Sequence, residues 1–244
     1  MPLNPVTVEQ VTALTNIPLG LIAMFATIRL WNWRPLQPLK ATIWAGMFGC
    51  LMVASDLAIF VHGFELEPET SKLIWHVIKA ALALTVACFV AGAVFDRWGA
   101  DTTWRVAPGL LALSAGFFSY ATFVSKTFLP FIVYESVAML FCLAVYLTLV
   151  PWERVGASAM SGPAQCSPTG RAGQRRLPGA GWMVAGVGIT ILAAVLQATP
   201  VSFRLGVTFD HNGVFHLVQL PGLICLLTGV QFGLGVFSPG LARG

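Results

Sequence analysis

Charge is what this chain has least of. Of its 244 residues only 10% are Asp, Glu, Lys or Arg, while 57% are hydrophobic. A soluble globular domain carries about 25% charged residues. The shortfall excludes an ordinary water-soluble domain and points to an integral membrane protein. It also strips the net charge of +4 of meaning for nucleic acid, and no nucleic-acid partner is expected. What counts is the side of each apolar segment on which the charges fall.

Cysteine patterns are missing as well. Cys50, Cys88, Cys142, Cys166 and Cys225 form no CxxC pair, and four of them lie inside apolar segments. They read as small packing residues, with neither a disulfide framework nor a thiolate metal site indicated. The opening MPLNPVTVEQ has no basic stretch, so no cleaved signal peptide is expected. No internal repeat stands out, and a single domain over residues 1–244 is expected. HExxH and the other usual soluble zinc signatures are absent.

What is present is a series of seven apolar runs. Each is near the roughly 20 residues that a bilayer-crossing helix needs. They cover about 11–31, 42–63, 72–95, 105–125, 128–150, 180–199 and 213–237. The expected fold is therefore all-α, a polytopic membrane protein of seven transmembrane helices. The one long hydrophilic stretch, Glu153–Pro178, is rich in Gly, Ser and Pro and reads as disordered.

Basic residues alternate by loop. Arg29, Arg34 and Lys40 flank the first connection, Arg97 and Arg105 the third, and Arg154, Arg171, Arg175 and Arg176 the fifth, with Arg243 in the tail. The opposite side has only Lys72, Lys126 and Arg204, together with Glu65, Glu67 and Glu69. The positive-inside rule places the N-terminus outside and the C-terminus in the cytoplasm. Trp31, Trp33, Trp98, Trp104, Trp152 and Trp182 gather on the cytoplasmic side, as an interfacial aromatic belt does. An inner membrane of a bacterium is the expected location, with membrane lipids as neighbours. Nothing in the sequence sets an oligomeric state.

All four histidines fall in one outer layer: His62 ending helix 2, His76 near the start of helix 3, His211 and His216 opening helix 7. Ionisable residues inside the spans lie in the same half. Asp56 is about 9 Å below His62 at 1.5 Å per residue, Lys79 is one turn below His76, and Glu135 is about two turns below the outer end of helix 5. A charge at bilayer depth is expensive unless paired or hydrated, so each marks a candidate site. The expectation is a shared polar cavity open to the outside. The plainer alternative is an interhelical Asp56–Lys79 ion pair.

Imidazole nitrogen suits zinc, whose catalytic sites use three protein ligands and keep a fourth position for water. The bound water's pKa falls toward about 7, giving a nucleophile at neutral pH. His62, His211 and His216 are the candidate ligands, with His76 as a fourth ligand or a base. Ser55, Asp56, Glu135 and Asp210 are candidate acid–base or orienting groups. Gln219, one turn beyond His216, is placed to touch a ligand. Gln197 and Gln231 read as interhelical hydrogen-bonding residues.

Seven spans, the histidine in ASDLAIFVHGFE and the pair in DHNGVFH resemble the CREST superfamily of membrane hydrolases, which includes the alkaline ceramidases and the progestin and adipoQ receptors. The resemblance is closest to a bacterial seven-span branch. It implies zinc held by His62, His211 and His216, and a zinc-bound water that hydrolyses a lipid-like amide or ester. The family's helix-2 serine falls on Ala58 here, with Ser55 the nearest serine. Its aspartate near helices 2 and 3 has no clean counterpart, and His76 stands in that region. The helix-7 pair is HxxxxH rather than HxxxH.

That spacing has a consequence. Residues i and i+5 lie about 140° apart on a regular α-helix, so His211 and His216 would not face one ion. Either Asn212 caps the helix and leaves His211 in the preceding loop, or a π-bulge absorbs the extra residue. The first is expected, because Asn-Gly is a poor helix interior. Two further readings fit the same residues: a non-enzymatic transporter or receptor-like protein with a His/Asp/Glu/Lys polar or metal site, and a haem protein. A retinal protein is disfavoured, since helix 7 has no lysine.

Overall fold

The computed structural model describes residues 1–125, 127, 129–150 and 176–236. Seven helices hold almost all of them: α1 Thr7–Asn32, α2 Pro38–Gly63, α3 Pro68–Trp98, α4 Ala100–Phe123, α5 Leu129–Leu149, α6 Ala180–Gln197 and α7 His211–Gly233. All seven are long and apolar enough to cross a membrane. Residues 153–175 of the expected disordered loop lie outside the described residues. Leu177, just beyond them, is tied in by its backbone N–H, which donates to the carbonyl of Leu149 at 3.1 Å.

Local chemistry sets the helix starts. Pro38 and Pro68 open α2 and α3, where the missing N–H is no loss and the fixed φ already suits a helix. Helix α3 is longer than hydropathy suggests, because it keeps the polar turn Pro68–Lys72. The one departure from an all-helical chain is a small antiparallel hairpin between α6 and α7. Its strands are β1, Phe203–Leu205, and β2, Val207–Phe209. Gly206 turns it with φ +72, a conformation that glycine adopts without penalty. The Phe203 and Phe209 rings stack across it at 4.8 Å.

Packing runs α1 on α2, α2 on α3, α3 on α5, α5 on α6, α6 on α7, and α7 back on α1. These six helices close a ring. Helix α4 lies outside it, packed mainly on α3 and burying little beyond Thr103, Ser114 and Ala121. Small residues let the ring close tightly. A side chain at Gly92 would meet the Trp44 ring at 2.7 Å, and one at Gly186 would meet Leu226 at 2.7 Å. Close approach of this kind is what holds helices together in lipid, where apolar contact alone favours no partner.

One end of the ring is sealed by charge. The Lys40 ammonium on α2 lies 2.6 Å from Asp96 Oδ1 on α3, with both side chains at most 3% exposed. Tyr146 of α5 donates its hydroxyl to Asp96 Oδ2 at 3.1 Å. Lys40 is thus not a loop charge, as its place beside the first connection suggests, but a core residue. The opposite end, where α2 finishes at His62, is held differently. The N-terminal segment clamps it: Asn4 N–H donates to Gly63 O at 3.0 Å, Asn4 Nδ2 to His62 O at 3.1 Å, and Glu65 N–H to Pro2 O at 3.0 Å.

Candidate ligand cavity and its histidine end

Inside the ring is a cavity of about 320 Å³. Every helix but α4 contributes to its wall among the described residues. Its body is apolar, made by Leu19, Met47, Leu51, Ile78, Leu82, Phe89, Phe131, Leu223 and Leu226. Its polar groups are His62, His211 and His216 with Asn16, Asn212 and Gln197, and, further along the same helices, Ser55, Thr190, Gln219 and Glu135.

Three of the four histidines therefore meet one cavity, together with Ser55, Glu135 and Gln219. His76 is half-buried on α3 and does not line it; its neighbour Trp75 does. The Trp75 ring sits edge-on to His62 at 5.5 Å. Asp56 is exposed on the outer face of α2, its carboxylate against Gly20 of α1. Lys79 turns away from the cavity and donates to the carbonyl of Ala121 on α4 at 2.7 Å. The expected grouping of Asp56, Lys79 and Glu135 is not formed, and neither is an Asp56–Lys79 pair. Only Glu135 lines the cavity, because one turn of helix separates its face from those of the other two.

The opening of α7 also differs from expectation. Asp210, not Asn212, is the N-cap: its Oδ1 accepts from the Gly213 N–H at 2.9 Å. His211 is then the first residue of the helix, with no loop position and no π-turn. Gly213 is tolerated in the first turn for a packing reason, since a Cβ there would press on the Phe209 ring at 3.3 Å. Asp210 also accepts from Thr12 Oγ1 at 3.2 Å, which fastens the α7 start to α1.

Two rings are held by partners that sequence reading did not single out. Glu9, at the start of α1, brings Oε2 to 2.5 Å from Nδ1 of His62. Thr15 Oγ1 lies 2.8 Å from Nδ1 of His216, with Asn16 Nδ2 at 3.5 Å. In each ring Nδ1 is engaged and Nε2 is left for another partner. Glu9 sits ahead of the hydropathy-defined span, and Thr12, Thr15 and Asn16 look like ordinary polar residues of a membrane helix. A Glu-x-x-Thr-x-x-Thr-Asn run at helical spacing is the signal that could have found them.

An oxygen partner on the second ring nitrogen is the arrangement that orients a metal-ligating histidine. The ligand set itself does not assemble: among the described residues no group of three His, Cys, Asp or Glu side chains is disposed to hold a metal ion. The donor chemistry suits zinc and the arrangement does not.

A model of one family covers residues 11–162 and 165–234 of the chain. The chain belongs to the DUF6962 family, a family of unknown function. No curated protein and no solved structure matches it. For this DUF6962 member the chemistry of the site has to be read from its own side chains.

Proposed function

We propose that the protein binds a lipid-like molecule in this cavity and hydrolyses an amide or ester of it at the histidine end. In this reading it sits in a bacterial inner membrane with its N-terminus and cavity mouth outside. The basic loops and cytoplasmic tryptophans support that orientation. The observation that carries the proposal is an apolar cavity within a ring of membrane-length helices, furnished at one end with three imidazoles. Such a shape takes an acyl or alkyl chain into its body and leaves a polar head among groups that move protons.

Glu9 fixes the role of His62. Its carboxylate holds the proton on Nδ1, so Nε2 offers the basic lone pair toward the cavity. That nitrogen can take a proton from an attacking water and return it to the leaving group. Thr15 and Asn16 steady His216 for a complementary contact to the substrate head. No step is routed through zinc, because the three imidazoles do not converge.

The test is hydrolysis by the purified chain of a panel of long-chain amides and esters. Turnover is expected with at least one of them. His62→Ala should lower it by on the order of 10²–10⁴-fold, and Glu9→Gln by less. Absence of turnover across the panel would contradict hydrolysis. Saturable binding of the same molecules without turnover would favour the alternative of a transporter or receptor-like protein, for which the unassembled metal set is no obstacle.

A further inference from the structure

Three hydrogen-bond acceptors in the cavity wall lack a donor: Oε2 of Glu135, Oε1 of Gln197 and Oε1 of Gln219, each shielded from solvent. The amide orientations are dictated by their neighbours. Thr190 spends its single hydroxyl proton on the Gly186 carbonyl at 3.0 Å, so toward Gln219 it can only accept. Gln219 must therefore present Nε2, which it does at 3.0 Å, and its oxygen is left over. The same logic runs from the α7 cap. Asn212 donates Nδ2 to Asp210, presents Oδ1 to Gln197 Nε2 at 3.2 Å, and so leaves Gln197 Oε1 unserved.

These are built-in surpluses of one kind. A buried acceptor without a donor is costly, and buried polar groups in folded proteins are almost always paired. Gln219 is only 7% exposed, so bulk water does not serve it. Glu135 adds a carboxylate at membrane depth, which needs a cation or a proton. Among the described residues the cavity wall holds no lysine or arginine to supply one. What the wall lacks is N–H donors and positive charge, and a ligand has to bring both.

We propose that the cavity's ligand is a long-chain ammonium amphiphile. Its nitrogen, with two or three N–H donors and one positive charge, serves Glu135 and the glutamine oxygens, and its chain lies along Phe89, Leu223 and Leu226. The inference rests on the cavity reading above and specifies the head that the cavity prefers.

The test is saturable binding of dodecylammonium, dodecanol and dodecanoate to the full chain in nanodiscs, with empty nanodiscs subtracting partition into lipid. Dodecylammonium should bind at least about tenfold more tightly than dodecanol, the margin that a charge-assisted hydrogen bond supplies. Glu135→Gln should erase that margin and leave dodecanol binding in place. Gln219→Met, which removes one acceptor and keeps the volume, should weaken dodecylammonium several-fold, and it carries the test if E135Q does not fold. Equal binding of the three, or a preference for dodecanoate, overturns the inference and leaves the cavity reading standing. Saturable binding of none of them overturns both.

Discussion

The two ends of α2 bury polar groups in opposite ways. At Lys40 the ammonium, the Asp96 carboxylate and the Tyr146 hydroxyl meet at 2.6 and 3.1 Å with no space between them. At His62 the imidazole is held on one side by Glu9 and borders a cavity on the other. The first end answers the cost of buried charge with partners from α2, α3 and α5, and so joins three helices. The second leaves acceptors over and keeps room beside them. Burial alone therefore does not mark a functional group; incomplete pairing next to open space does.

The comparison breaks most sharply at the closed end. Lys40→Met should destabilise the protein by about 3–5 kcal/mol, since removing one partner leaves the other charge buried. Thermal unfolding in detergent would read this as a large fall in midpoint. Lys40→Met with Asp96→Leu should recover much of the loss, because replacing both members of a buried pair by apolar residues is often close to neutral. A double variant as unstable as the single one would show that the pair does more than satisfy itself.

A middle-sized effect is expected where α7 begins. Asp210→Ala removes the cap and should cost about 1 kcal/mol in the same unfolding assay. It also unties Asn212 and Thr12, so ligand binding should weaken along with stability. Tyr146→Phe at the closed end should cost about 1 kcal/mol with no effect on binding. At the histidine end, Thr15→Val should scarcely move the unfolding midpoint and should slow hydrolysis by releasing the His216 ring. If T15V lowers stability as much as D210A, the histidine end is structural after all.

Much of the fold was legible because hydropathy acts over whole segments. Seven runs of apolar residues became seven helices, and Pro38 and Pro68 fixed two starts to the residue. Individual polar residues were harder, because side-chain facing is set by helix rotation, which segment hydropathy does not carry. His62, His211, His216, Ser55, Glu135 and Gln219 meet at one cavity, whereas Asp56 and Lys79, at similar depths, point elsewhere. Lys40 was misplaced for a related reason: a lysine next to a connection reads as a loop charge, and only the approach of Asp96 from α3 makes it a core residue. The α7 start turned on a choice between Asp210 and Asn212, equally good caps, which tertiary contacts with Thr12 and Phe209 decided.

The central claim, that the ring encloses a site for a lipid-like molecule, is tested most directly by photo-crosslinking. A long-chain alkyl diazirine irradiated with the membrane-embedded protein should mark wall residues on α2, α5 and α7, such as Ser55, Glu135 and Gln219, saturably and in competition with unlabelled chain. Labelling confined to lipid-facing positions such as Leu111 and Phe123 of α4, rising without saturation, would contradict the account.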